Sequence, residues 1–345
     1  MSDSPERLRD SFAACFASAV STDTANPLSI PCFSTVENTP PKLLFGRDPY
    51  LLSGLLSSIR SEAANRKLAV STVYDPYLPD RLTALSVEGI GNFTLSPSRL
   101  TVEGGLVDCT LPLSENSEDT LASIRDLAVQ RSELAKEIAS VGRLLADAKT
   151  LLTRQGSRLV DFTALCAKGE RVAKKLPRGS RAPVSIAIRS YDAEKTITRL
   201  PFSPDCGVRV LGLPSRYSLA DLFLEVLSEA MADRGCFGVW LTDAFSGRRL
   251  GVLLPDIGVC YLTDAPEEIR EKELTLSRFM TPFTADQRRC YRRLEEASDA
   301  IEAHLCRRLS EYRALADRER ELLMNLHSES RLQTFRKRLL IDLFC

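Results

Sequence analysis

The chain has 345 residues, of which 46 are basic and 46 acidic, so its formal net charge is zero; 44% of it is apolar and 27% charged. That length accommodates about two ordinary domains, and the composition supplies a core to each without disulfides or structural metal. Zero net charge argues against a long-range field that would gather nucleic acid or a membrane surface, and no apolar run approaches the ~20 residues of a membrane-spanning helix. The ten cysteines are scattered, the nearest two being Cys290 and Cys306, which matches neither a zinc-ligand spacing nor a CxxC pair. With the polar, acidic start Met1-Ser2-Asp3, the expectation is a cytoplasmic chain whose thiols stay reduced and act mostly as small buried hydrophobes.

In chain order, residues 1–28 read as a loosely organised stretch in which Leu8 to Val20 can form a short amphipathic helix. A strand at 42–45 leads through Gly46 into a helix over 53–66, then a strand at 68–73 that ends in the turn Tyr74-Asp75-Pro76, and a third apolar segment surrounds 93–95. Ile124, Leu127, Leu134, Ile138, Val141, Leu145 and Leu152 then recur mostly at three- and four-residue steps, the signature of one buried helical stripe. Gly156 interrupts it, and Leu159, Phe162, Leu165 and Val172 begin another helix. Residues 158–181 carry seven basic against two acidic side chains, which reads as a solvated helix face and linker. Beyond the linker at 177–183 the pattern returns: a strand at 207–211, a helix at 219–234, a strand at 237–241, the apolar run 258–263, and helices from Thr284 through Leu315 and on to Leu343.

The return is close to literal. Leu44-Phe45-Gly46 is answered by Val210-Leu211-Gly212, Ser61-Glu62-Ala63 by Ser228-Glu229-Ala230, Asp75 by Asp243, Arg81-Leu82 by Arg249-Leu250, and Ile90-Gly91 by Ile257-Gly258, at offsets of 166 to 168 residues. The expected organisation is therefore residues 1–28 as an N-terminal segment, followed by two copies of one α/β unit at 29–180 and 181–345. Strand, helix and strand at this spacing predict largely parallel sheets, each unit trailed by a long helical hairpin that packs on its own domain.

In this layout the chain resembles a bacterial family of duplicated P-loop ATPases, with two P-loop domains in tandem, each followed by a helical hairpin. The resemblance is carried by the repeat itself, by Asp75-Pro76 within Val73 to Leu82, and by Leu254-Pro255-Asp256-Ile257-Gly258-Val259-Cys260, which is similar to that family's closing Ile-Pro-Glu-Leu-x-Val-Ala segment. It implies two phosphate loops, at Gly46, Arg47 and Ser53 and at Gly212, Ser215, Arg216 and Ser218, with Asp243 and Asp264 in the places of magnesium-positioning acids. The departure lies in the loops themselves. A P-loop needs small residues that let backbone N–H groups wrap a phosphate, a lysine to pair with it, and a hydroxyl for magnesium. Gly46-Arg47-Asp48-Pro49-Tyr50-Leu51-Leu52-Ser53 has leucine where lysine belongs, and Gly212-Leu213-Pro214-Ser215-Arg216-Tyr217-Ser218 has no lysine either. Arg47 or Arg216 could replace the lysine, but each reads more simply as a solvated loop arginine, and Asp243 and Asp264 as turn or cap aspartates.

His304 and His327, the two histidines, have neither metal-ligand company nor a neighbouring nucleophile, which argues against Ser-His-Asp or Cys-His chemistry. Trp240 reads as core. The arginines of 288–293 and 331–338 alternate with Glu295, Glu296, Glu302 and Glu329, favouring intrahelical pairing over nucleic-acid binding. The expectation is a catalytically degenerate P-loop-like binding or scaffolding protein that needs no cofactor and meets another protein through its helical hairpins. The alternative is a divergent ATPase that uses ATP and magnesium with Arg216 and Asp243.

Overall fold

The computed structural model describes residues 14–16, 42–46, 48–96, 105–111, 118–179, 183–192, 195–202 and 207–344. The first part contributes β1 (Ala14–Phe16), β2 (Lys42–Phe45), α1 (Pro49–Asn65), β3 (Val70–Tyr74), β4 (Leu82–Val87), β5 (Gly91–Ser96), β6 (Leu106–Asp108), α2 (Glu118–Ser157) and α3 (Phe162–Ala173). The second contributes β7 (Val184–Tyr191), β8 (Thr196–Thr198), β9 (Arg209–Leu213), α4 (Leu219–Arg234), β10 (Val239–Asp243), β11 (Arg249–Leu254), β12 (Val259–Thr263), β13 (Arg270–Glu273), α5 (Ala285–Leu326) and α6 (Glu329–Phe344). Ala14–Phe16 is strand, which corrects the expected helix there; the rest of residues 8–20 lies outside the described residues.

All the strands join one ladder, in the order β13-β9-β12-β11-β10-β7-β1-β3-β4-β5-β2-β6, with β8 attached to β7. Outward from the central β7/β1 pair the two halves read alike. Each runs from a parallel pair (β1–β3, β7–β10) through an antiparallel meander (β3–β4–β5, β10–β11–β12) to a strand flanked by parallel neighbours (β5–β2–β6, β12–β9–β13). Even the irregularities correspond, since the register slips between Val73 and Tyr74 and between Leu241 and Thr242. The halves join where β1 meets β7 antiparallel, through Phe16 and Ala187.

The expected parallel sheets are thus corrected to mixed ones. The cause is turn length. β4 meets β5 through a tight turn at Glu88-Gly89-Ile90, with φ +71° at Gly89, and β11 meets β12 through a 3-10 turn at Pro255–Ile257 closed by Gly258 at φ +61°. Connections this short cannot cross over a sheet, so the strands fold back antiparallel. The segment from Leu254 to Cys260 is this turn and its flanking strand ends.

The helices depart from the expected hairpins. Instead of folding back on their own followers, α2 and α5 pack antiparallel along their lengths: Arg131 pairs with Glu319 at 3.0 Å, Lys149 with Glu302 at 3.5 Å, and Gln155 donates to Cys290 at 3.2 Å. Leu134, Ile138 and Leu145 share a core cluster with Leu305, Leu309 and Tyr312. After α2, Asp161 N–H donates to Phe279 O (2.7 Å) and Val160 bridges Met280, which carries α3 over to pack on α4. Past the extended residue His327, α6 packs on α1, where Arg66 donates to Phe344 O at 2.8 Å and lies over its ring. Each trailing helix therefore covers the other half. The sheet is buried on both faces: in β7, Ile186 and Ile188 enter one apolar cluster while Ala187 and Tyr191 enter another, as alternate strand residues must.

Candidate functional site

In an α/β fold a phosphate would seat at the start of the helix after β2 or β9, where free amides and the helix dipole meet. The chain fills both places with its own atoms. At α1 the buried Asp48 is the N-cap, accepting from Tyr50 N–H at 2.8 Å and Leu51 N–H at 3.0 Å, with Pro49 entering the first turn. Two amides are taken, and a carboxylate sits where an anion would have to go. The other Asp48 oxygen lies 3.6 Å from His327 Nε2. Gly46 is a packing glycine, since a Cβ there would come within 3.2 Å of Leu52 and 3.4 Å of Cys109 O. Ser53 is buried further along α1, and Arg47 lies outside the described residues.

At the second start, Gly212 is inside β9, not beyond it, and is pressed by the Arg270 side chain, 2.6 Å from where its Cβ would be. The chain then passes Ser215 and Arg216, both exposed, the guanidinium 5.0 Å from the Tyr217 ring. Tyr217 and Ser218 both have φ +55°. Gly156 of α2 lies against Tyr217 O so closely that a Cβ would be 2.5 Å away, and Ser218 Oγ meets the Tyr291 hydroxyl of α5 at 3.0 Å. Burial pushes the Tyr291 phenol up to about 12, against the opposing hydrogen bond with Ser218. Tyr217 packs edge-on to Phe283 and Tyr291. The long helices thus close over the start of α4.

The two candidate magnesium acids stand apart in character. Asp243 is buried, and its Oδ1 accepts from Phe245 N–H, Ser246 N–H and the Ser246 hydroxyl while its Oδ2 accepts from the Tyr191 hydroxyl at 2.6 Å. Those four donors hold the carboxylate, while burial first and then the Asp243 charge push the Tyr191 phenol upward. Asp264 is half-exposed at φ +53° and faces Arg189 at 3.4 Å. Asp75, the counterpart of Asp243, accepts from Tyr77 N–H at 2.8 Å and pairs with Arg81. Among the described residues no group of three or more His, Cys, Asp or Glu side chains is placed to hold a metal ion.

Two of the open clefts occupy equivalent positions. One, of about 620 Å³, lies between α4, the β10–β11 turn and α2; the other, of about 390 Å³, lies between α1, the β3–β4 turn and α5. Thr150 and Thr153 line the first where Asp317 and Arg320 line the second, 167 residues on. Each cleft takes its helical wall from the opposite half. Each also contains one of a matched pair of arginines: Arg81 and Arg248 occupy the same place, because Asp75 N–H donates to Arg81 O and Asp243 N–H to Arg248 O. The sequence repeat had set Arg81 against Arg249, one residue off, since the second turn is one residue shorter. Arg248 is clamped by both oxygens of Asp221 at 2.7 Å, and Arg313 is bound by Asp192, Tyr191 O and Tyr77 O. Tyr77 and Phe245, also counterparts, touch edge to face at 5.2 Å.

These clefts are built to hold shape. Thr150 and Thr153 donate their hydroxyls to carbonyls of their own helix, as does Ser57, and the Ser246 hydroxyl of the first cleft is spent on the Asp243 carboxylate that also accepts the turn amides. The signal that sequence reasoning passed over is the Asp-Pro cap at Asp48-Pro49; the arginine that recurs after Asp75 and Asp243 is visible in the repeat, but paired one residue off. No protein family, curated protein or solved structure matches the chain.

Proposed function

We propose that the chain is a non-catalytic binding or scaffolding module, an internally duplicated α/β unit whose two copies are interleaved into one body and whose physiological partner is another protein. The observation that carries this reading is the occupation of both helix starts by the chain itself: the Asp48 carboxylate on the first amides of α1, and Gly156 and Tyr291 over the start of α4. A charge-assisted hydrogen bond contributes roughly 1.5–3 kcal/mol, and a phosphate would have to displace such bonds without a lysine to replace them. The likeness to tandem P-loop ATPases contributes the duplicated strand–helix–strand layout to this reading and no nucleotide chemistry, because an antiparallel meander stands in each half where successive parallel strands were expected.

A thermal-shift series with ATP or GTP and magnesium tests it. Ligand binding to the native state adds RT ln(1 + [L]/Kd) to stability, so the expected melting temperature is the same with and without nucleotide. A clear rise that disappears in Arg216→Ala would overturn this reading in favour of a surviving nucleotide site.

A further inference from the structure

The basic run at 158–181 gains neighbours from the second half when the chain folds. α3 turns Leu165, Gly169, Val172 and Ala173 onto α4, Gly169 lying close against Val226. Lys168 and Arg171 lie to one side of that buried face, and Lys175 continues their line in the turn that ends the helix. Beside them stands Arg278, in the 3-10 turn that adjoins α3, and Lys272 of β13 is near enough for its charge to act on Lys168. Among the described residues no ion pair joins any of these five cations to a carboxylate, although the chain as a whole is neutral.

The nearby acids are already committed. Glu170 pairs with Lys174 at 3.6 Å, Glu271 with Arg209 at 2.7 Å, Glu273 with Arg270 at 3.7 Å, and Asp161 caps Ala164 N–H at 3.0 Å. Glu229 and Glu170 act on Cys166, on the other flank of α3. The like charges act on one another: burial first, then Arg278, Arg171, Lys175 and Lys272, hold the Lys168 ammonium below its ordinary pKa. Arg171 donates its Nε–H to Ala167 O at 3.0 Å, Arg278 lies over the Phe279 ring at 4.8 Å and Lys272 acts on Glu271. Among the described residues none of the five is held in an ion pair, however, and concentrating them costs free energy that an anionic partner relieves.

We propose that Lys168, Arg171, Lys175, Lys272 and Arg278 form the docking surface for an acidic segment of a partner protein. The proposal rests on the reading of the chain as a binding module and names the chemistry of its partner. The size of the patch favours a peptide over nucleic acid: Lys168 to Lys175 spans seven residues, about 10 Å of helix, enough for a short run of Asp and Glu. Phe162, an exposed aromatic of α3, lies six residues before Lys168, so bases would have no ring to stack on within the patch.

The test is fluorescence anisotropy of the full chain with a labelled ten-residue polyglutamate peptide and, separately, a labelled ten-nucleotide oligothymidylate. Saturable peptide binding that weakens with salt is expected. Lys168→Glu/Arg171→Glu/Lys175→Glu and, on different elements, Lys272→Glu/Arg278→Glu should each weaken it about tenfold or more, at unchanged circular dichroism. Arg289→Glu/Arg293→Glu on α5 should leave it unchanged. Absence of saturable peptide binding, indifference to both patch variants, or tighter binding of the oligonucleotide overturns the proposal. Since neither probe is a nucleoside triphosphate, a failure here is distinct from a nucleotide-induced rise in melting temperature.

Discussion

At the scale of single residues, Asp243 and Asp264 show how one residue type takes two roles from two environments. Both follow apolar strands, and in sequence both suit either a magnesium-positioning acid or a turn. In the fold Asp243 accepts four hydrogen bonds in the interior, while Asp264 sits half in solvent opposite Arg189. Replacing Asp243 by alanine strands the Tyr191 hydroxyl and the turn amides, and is expected to cost about 3 kcal/mol or more of unfolding free energy. Asp264→Ala is expected to cost less, about 1 kcal/mol, because its carboxylate is half in solvent and alanine is less at ease than aspartate at φ +53°. Urea titrations of the two variants measure the difference; equal costs would contradict the buried-turn role of Asp243. The sequence does carry Asp243 as a repeated landmark beside Asp75, but nothing local says that a tyrosine 52 residues earlier will donate to it. Asp48 is similar: its position before Pro49 marks a cap, yet the preceding glycine draws the eye to a phosphate loop.

At the scale of elements, the stripes on α2 and α5 were readable because helical period survives any choice of partner. Ile138, Leu145, Leu305 and Leu309 are completely or almost completely buried. Which surface they meet was not readable, because an apolar stripe specifies burial and not the identity of what covers it. What decides the matter is non-local: the bridge between Val160 and Met280 turns the chain away from a hairpin. β4 and β11 escaped notice for another reason, since strands buried on both faces lack the alternation that marks a half-buried strand. Leu309→Ala, at the heart of the α2–α5 seam, is expected to cost about 3 kcal/mol through lost transfer energy and a residual cavity. Gly142→Ala should destabilise as well, by about 1–3 kcal/mol, because its Cβ would lie 2.6 Å from the Phe245 carbonyl, a backbone atom with little room to retreat. Chemical denaturation of both variants is the measurement, and a neutral Leu309→Ala would place the seam elsewhere.

At the scale of the whole molecule, the constant offset of the sequence landmarks is matched in the sheet by a recurring order of elements and pairing senses. The exchange of helices between halves was not legible, since it leaves the one-dimensional pattern untouched. It has a consequence for stability. A fragment of residues 1–180 lacks α5 to cover α2 and α6 to cover α1, while α3 in that fragment has no α4 beneath it. Each fragment alone, 1–180 or 181–345, is therefore expected to show little cooperative unfolding, and a mixture of the two to regain it as a one-to-one complex. Two fragments that each melt cooperatively as monomers would contradict the interleaving.

Closure of the helix starts has two sources: Asp48 caps α1 locally, and the interleaving brings Gly156 of α2 over the start of α4 beside Tyr291. Calorimetric titration of the intact chain with magnesium ATP examines it most directly. The expected result is heat of dilution alone up to millimolar ligand. A saturable isotherm with a Kd tighter than about 1 mM, some 4 kcal/mol of binding free energy, would mean that a phosphate has found free donors at a helix start that the fold assigns to the chain's own side chains.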